Sequence, residues 1–339
     1  MFTGIDVNKI NSSITDDALF VIGNGFDLAH GVKSTYYDFK KSLGNYCYLK
    51  DCLEIYIFKD DIWGNFEDSL AHLDRAFILD GIDTGLEMFD VKDEFDDDFS
   101  AADYFLAIEN TTMPVETIEK ELPKKFRRWV EKLNIKDKHF PLAGLLNCHA
   151  DYINFNYTEF LETHYGINSG CIKYIHGDRR NKKQPLILGH GYDTDELYSD
   201  WQNTFNVKML PKNSPARLRY FSNTDNVKRW KSQSRYDATQ AAAYRIEEYY
   251  EKAAKKTKNI IEKNREYFKS LSSKNNVIVI GHSLSFVDYP YFLEIIKCHQ
   301  NPDKINWYIS FHNDDDIERI KNFAAFLNVE KDKVKIFNI

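Results

Sequence analysis

None of the five cysteines, Cys47, Cys52, Cys148, Cys171 and Cys298, has a partner at C-x-x-C spacing, and their number is odd. That argues against a zinc ribbon and fits a reducing cytoplasm. Long apolar runs are also missing. Stretches such as "VIVIG" at 277–281 are far too short to span a bilayer. Positive charge is in deficit, with 45 Lys and Arg against 52 Asp and Glu and a net charge of −7, so nothing global draws the chain to nucleic acid or an anionic membrane. The first residues, "MFTGIDVNKINSSITDD", have neither a basic end nor an apolar stretch, so a cytoplasmic rather than a secreted chain is expected. No internal repeat or low-complexity linker occurs.

What is present is a globular composition, 43% hydrophobic and 15% aromatic over 339 residues, enough for one large core or two unequal ones. Short β-rich runs alternate with longer helical patterns, which predicts an α/β fold with a largely parallel sheet and helices on both faces. The expected strands are Leu19–Ile22, Tyr152–Phe155, Ile172–Ile175, Leu186–Leu188, Val277–Ile280, Trp307–Phe311 and Val334–Phe337. They read as continuous apolar runs, as strands covered on both faces do. Ser34 and Thr35 are expected to cap a helix over "STYYDFKKSL", and Asp288 one over "DYPYFLEIIK" with Pro290 in its first turn.

Two helical insertions are expected in this one domain. Residues 60–148 place Trp63, Phe66, Leu70, Leu73 and Phe77 on one stripe and contain an acidic segment, Glu87 to Asp103, with eight acids against Lys92. Residues 195–272 close with the long run "YDATQAAAYRIEEYYEKAAKKTKNIIEKNREYFKSL" and hold the basic cluster of 208–236. Its interleaved aromatics could bind single-stranded nucleic acid, but in an acidic chain a solvated or subunit-facing surface is the favoured reading.

The chemistry-bearing residues gather after strands. "ALFVIGNGFDLAHG" ends a strand in Gly23, Asn24, Gly25, Phe26 and Asp27. It lacks the third glycine of a dinucleotide fingerprint, but Gly23 and Gly25 allow backbone N–H groups to approach an anion. "NFNYTEFLE" puts Asn154, Asn156 and Thr158 after a second strand, "YIHGD" puts His176 and Gly177 after a third, and "LILGH" puts His190 after a fourth. "GHSLSFVDYP" puts Gly281, Ser283 and Asp288 after a fifth. In open parallel sheets that edge is where ligands bind. Two competing patterns are weaker. "NDDD" at Asn313–Asp316 offers clustered carboxylates but reads as a helix cap and first turn, and His30, His176, His190 and His282 have no metal-ligand spacing.

The segments "LFVIGNGFDLAHGVKSTYYDF", "WGNFEDSL", "NFNYTEFLETHYG", "YIHGD", "LILGH" and "VIVIGHSLSFVDYPYF" resemble the bacteriophage abortive infection AbiH family. A more distant likeness is to sirtuin-like NAD-binding domains, through "GNG", "NFNYT", "HG" and "GHSLSFVDYP" in that order. The four-cysteine zinc module of deacylating sirtuins is absent, and Asn156 stands where their aspartate is common. The resemblance therefore implies a phage-defence protein that binds NAD⁺ or a related nucleotide and hydrolyses its nicotinamide–ribose bond, with no metal. It leaves open a nucleotide-sensing module without turnover, or a nucleic-acid-directed effector. Partners implied are the nucleotide, a phage-derived activator and a second copy of the chain. Such hydrolysis passes through an oxocarbenium-like state and needs a group to orient ribose or water and a base near neutrality, for which Asn156 and His176 are the candidates. Gly23, Asn24 and Gly25 would cradle the pyrophosphate and Ser283 would meet phosphate or ribose.

Overall fold

Seven parallel strands form the core of the computed structural model, which describes residues 2–10, 12–89, 97–136, 142, 144–192 and 233–339. They are β1 (Thr3–Gly4), β2 (Ala18–Ile22), β3 (Asp151–Asn154), β4 (Ile172–Tyr174), β5 (Asn276–Ile280), β6 (Asn306–Phe311) and β7 (Val334–Asn338). Their order across the sheet is β1-β7-β6-β5-β2-β3-β4. The chain moves outward from β2 to β3 and β4, crosses back to β5 beside β2, and moves outward the other way to β6 and β7. This is the Rossmann-like, doubly wound arrangement, with its switch point between β2 and β5. Ile22 pairs there with Ile280 on one side and Asn154 on the other, so three strands end level with one another.

The strands are buried because both faces of the sheet are covered. Leu19, Val21, Val277, Val279, Trp307 and Ile309 pack on one side with the helices Tyr289–Cys298 and Asp314–Phe326. Ala18, Phe20, Ile22, Ile278, Ile280 and Tyr308 pack on the other with Phe26, Phe160 and Leu161. The alternation is the period of two of an extended strand, with both phases apolar.

Several expectations are corrected. Leu186–Leu188 joins no strand of the sheet. The Ile187 N–H donates to His176 O and Ile187 O accepts from the Tyr157 hydroxyl, so the segment is tied to the loops after β3 and β4 instead. The long run ending the second insertion is helical, as three helices, Gln233–Ala253, Thr257–Lys263 and Arg265–Ser270. Asp288 occupies the cap position of Tyr289–Cys298, yet its side chain makes no capping bond. Thr35 does cap Tyr36–Leu43, since its Oγ1 accepts from Asp38 N at 3.1 Å. Asn313 and Asp316 form a reciprocal capping box on Asp314–Phe326, which accounts for the "NDDD" carboxylates as helix-start residues.

The chain divides into two compact units. The sheet unit comprises Met1–Ser42, Pro123–Gly191 and Lys255–Ile339. The helical unit comprises Leu43–Leu122 and Tyr192–Ala254. Within the helical unit, Ile82, Leu86, Ala107, Ile108, Ala238 and Ala242 form a core between the helices Arg75–Met88, Ala101–Glu131 and Gln233–Ala253. Trp63, Phe66, Leu70 and Leu73 are buried, but Phe77 is exposed. The helical stripe is interrupted because Asp74 accepts from Phe77 N at 3.0 Å and starts a new helix. Residues 90–96 of the acidic segment lie outside the described residues, as does the basic cluster up to 232. Among the described residues no helix is long and apolar enough to cross a membrane.

Glycine is compulsory where β2 and β5 end. Gly281 has φ +63, and a Cβ there would lie 2.2 Å from Phe26 N. Gly166 has a similar φ of +66, but a Cβ there would meet nothing within 4 Å. Gly166→Ala is therefore expected to cost about 1–2 kcal/mol from backbone strain alone. Gly281→Ala should cost about 2–5 kcal/mol, because overpacking adds to the same strain. Urea denaturation of both variants checks this, and equal losses would contradict the close contact.

Candidate functional site at the switch point

The turn after β2 and the turn after β5 lie directly against each other. Gly23 N–H donates to Ile280 O at 2.9 Å and Gly25 N–H donates to Gly281 O at 2.7 Å. A Cβ on Gly23 would lie 2.4 Å from His282 Cα, and one on Gly25 2.6 Å from Gly281 Cα. The two N–H groups that the sequence offers to a pyrophosphate are thus already bonded within the protein. Asn24, the first residue of the helix Asn24–Ala29, is exposed and donates its side-chain amide to Ser34 O at 2.9 Å. Phe26 is buried, its ring set among His30, Phe160 and Tyr165, so its side chain belongs to the core.

Asp27, next in that helix, is buried and anchors the loop after β3. Its Oδ1 accepts from Asn156 Nδ2 at 2.7 Å and its Oδ2 accepts from the Thr158 hydroxyl at 2.7 Å. Asn156 Nδ2 gives its other hydrogen to Gly23 O at 3.0 Å. Asn154 Oδ1 accepts from Asn156 N at 3.0 Å, which closes the turn that aims Asn156 at the glycines. Burial pushes the Asp27 carboxyl up to about 7, against the lowering effect of Thr158 and Asn156. The Thr158 hydroxyl is both donor and acceptor, so it can serve either state of the acid.

A second buried group forms around Asp288. Lys255 Nζ, fully enclosed, lies 3.1 Å from Asp288 Oδ1. His176 Nε2 lies 3.5 Å from the same oxygen, and His282 Nε2 3.5 Å from Oδ2. The Phe155 ring stands edge-on to both imidazoles, with centroids 4.9 Å from His176 and 4.4 Å from His282. Burial opposes the Asp288 charge, but Lys255, followed by the two histidines, overcomes it and holds the carboxyl well below its ordinary range. His282 goes the other way, to about 4, because burial outweighs the attraction of Asp288. Its Nδ1 accepts from Leu284 N–H at 2.9 Å, with Leu284 at φ +50, so the proton of the neutral ring sits on Nε2 facing Asp288.

The expected residues are therefore brought together in two adjoining clusters. Gly23, Gly25, Asp27, Asn154, Asn156 and Thr158 make the first, and His176 and Asp288 make half of the second. Gly281 links them, being packed against Gly25 and next to His282. Gly177 has φ +100 and turns the chain after His176, while Ser283 is exposed at the rim. His190 contributes its backbone, its O accepting from Lys255 N at 2.7 Å. His30 is bound to Phe26 O and the Tyr165 hydroxyl, and among the described residues no group of three or more His, Cys, Asp and Glu could hold a metal ion. Sequence reasoning missed Lys255, one of several lysines in "EKAAKKTKN", where nothing marks it as different from its solvated neighbours.

Asp27 gives a pH signature. Its acid is held more tightly folded than unfolded between pH 3.8 and about 7, so the stabilisation it contributes is complete below pH 3.8 and lost as pH rises through about 7. Asp27→Asn can keep both hydrogen-bond partners and cannot titrate. From pH 5 to pH 8 the unsubstituted protein should lose on the order of 3 kcal/mol more stability than the variant, at about 1.4 kcal/mol per pH unit. Denaturation at the two pH values measures it, and parallel losses would show that Asp27 does not titrate in this range.

No curated protein and no solved structure matches the chain. The family model described as Bacteriophage abortive infection AbiH matches residues 19–311. That span runs from β2 to the end of β6 and includes Asp27, Asn156, His176, Lys255 and Asp288. The chain belongs to the bacteriophage abortive infection AbiH family.

Proposed function

We propose that this abortive-infection protein binds NAD⁺ or a related nucleotide over the carboxyl ends of β2 to β5 and hydrolyses its nicotinamide–ribose bond. The reading draws on the likeness of its turns to sirtuin-like NAD-binding domains and on the doubly wound sheet, whose switch point is the usual ligand position. The observation that carries the chemistry is the buried His176–Asp288 pair. His176 Nε2 is buried, faces Asp288 Oδ1 at 3.5 Å and makes no hydrogen bond among the described residues. With its Nε2 proton turned to the carboxylate, the ring presents a lone pair on Nδ1 to water.

In the reaction the bond between ribose C1′ and the nicotinamide nitrogen breaks, and its electron pair neutralises the departing ring. The water oxygen bonds to C1′ and its proton passes to His176 Nδ1. The Asp288 carboxylate stabilises the imidazolium that forms, as a buried acid does in a hydrolase triad. Asn156 then has a positioning role, since both its amide hydrogens go to Gly23 O and Asp27. The nucleotide's phosphates fall to the exposed Asn24 and Ser283 rather than to Gly23 and Gly25.

The same commitment of Asn156 and the glycine N–H groups favours a second reading, a nucleotide-binding module without turnover. Incubation with NAD⁺ and measurement of nicotinamide release separates them. Release that falls about 10²-fold or more in His176→Ala, with NAD⁺ still bound, is the expected result. Binding without release, with phage-infected extract added, would leave the second reading in its place.

A further inference from the structure

We infer that Lys255 is a positioning residue that sets the tautomer of His176 through Asp288. The inference deepens the hydrolase reading and takes its catalytic meaning from it, but its geometry stands apart from any nucleotide.

The helix Gln233–Ala253 ends although the sequence beyond it, "AKKTKN", has no proline or glycine to stop it. The chain turns out of the helix at Ala254–Lys256 and starts a new one at Thr257. At the break, Lys255 N–H leaves the helical ladder for His190 O at 2.7 Å, and the ammonium is carried inward to Asp288, with none of its side chain exposed. Enclosing a lysine is costly unless it is paired, so a chain that breaks a helix to do so gains something specific.

That gain follows from what Asp288 touches. A carboxylate only accepts hydrogen bonds, whereas a carboxylic acid also donates one. Oδ1 accepts from Lys255 Nζ at 3.1 Å and faces His176 Nε2 at 3.5 Å, a nitrogen with no hydrogen bond among the described residues, and Oδ2 faces His282 Nε2. His282 is already fixed as an Nε2 donor by Leu284 N–H. Without the ammonium beside it, burial would favour the neutral acid, whose O–H could turn toward His176 and demand a lone pair at Nε2. The ring proton would then move to Nδ1, and the nitrogen available to water would be a donor instead of a base. Lys255 removes that alternative by keeping Asp288 ionised, which makes both imidazoles present N–H to it.

The test is nitrogen NMR of the full chain with isotope-labelled imidazoles, His176 being assigned by its loss in His176→Gln. In the unsubstituted protein the neutral His176 ring should carry its proton on Nε2. In Lys255→Met, which keeps the stem and removes the charge, the Nδ1-protonated form should become populated. In the nicotinamide assay the same variant should lower kcat about tenfold or more with little change in KM. Added to Asp288→Asn it should cause no further loss, because Lys255 acts only through that carboxylate. An Nδ1-protonated His176 in the unsubstituted protein overturns the inference, as does an unchanged tautomer in Lys255→Met or additive losses in the double variant. If the unsubstituted protein releases no nicotinamide, the hydrolase reading fails while the tautomer of His176 still decides this one.

Discussion

The contact on which the site depends is one between two backbones, where the turn after β2 meets the turn after β5 with no side chain between them. Gly25 N–H reaches Gly281 O at 2.7 Å, and the space that a Cβ would take at Gly23, Gly25 or Gly281 is filled by backbone atoms of the opposite turn. Two consequences follow from this closeness. It brings His282 down beside Phe155, within reach of Asp288, and it fixes Gly23 O where Asn156 can bond it. At a switch point the connections after the two central strands ordinarily diverge and leave a crevice. Here the first residues of those connections close on one another, and the polar groups gather on the β3 and β4 side.

Two buried aspartates meet the same cost of burial in opposite ways. Asp27 has only neutral donors, Asn156 and Thr158, at its oxygens, and its carboxyl is pushed up to about 7. Asp288 has an ammonium at 3.1 Å and is held ionised. Neutral hydrogen bonds soften the loss of hydration, whereas an adjacent opposite charge reverses its effect on ionisation. Groups in one region whose environments push their ionisation apart mark the division of acid and base roles in many active sites. The division assigns Asp27 to holding the loop after β3 in place, and Asp288 to the histidines.

What the sequence made legible was whatever depends on a local pattern. Strands buried on both faces show as unbroken apolar runs, so β2 to β7 could be read, and capping signals such as Thr35 and Asn313 fixed helix starts. β1, two residues long at the sheet edge, has too little pattern to register. Leu186–Leu188 has the composition of a strand, but its backbone groups go to His176 O and the Tyr157 hydroxyl, partners that composition cannot reveal. Asp288 looked like a helix cap because aspartate before a helix usually is one. Its true partners lie 33 residues before it in Lys255 and far earlier still in His176.

The glycine turn shows where such reading must stop. A glycine after a strand means that backbone approaches something closely, and sequence cannot say whether that something is a phosphate or another turn. The two cases differ in where the N–H groups point. In a phosphate cradle they are left for the ligand, and in a packed turn they are used within the protein. At Gly23 and Gly25 they are used. Those two N–H groups are therefore not free to form an anion hole, and the groups left exposed at this rim are side chains such as Asn24 and Ser283. The same limit holds at Asp288, where the charge that does most to keep the carboxylate an acceptor is Lys255 Nζ at 3.1 Å, with His176 and His282 adding to it.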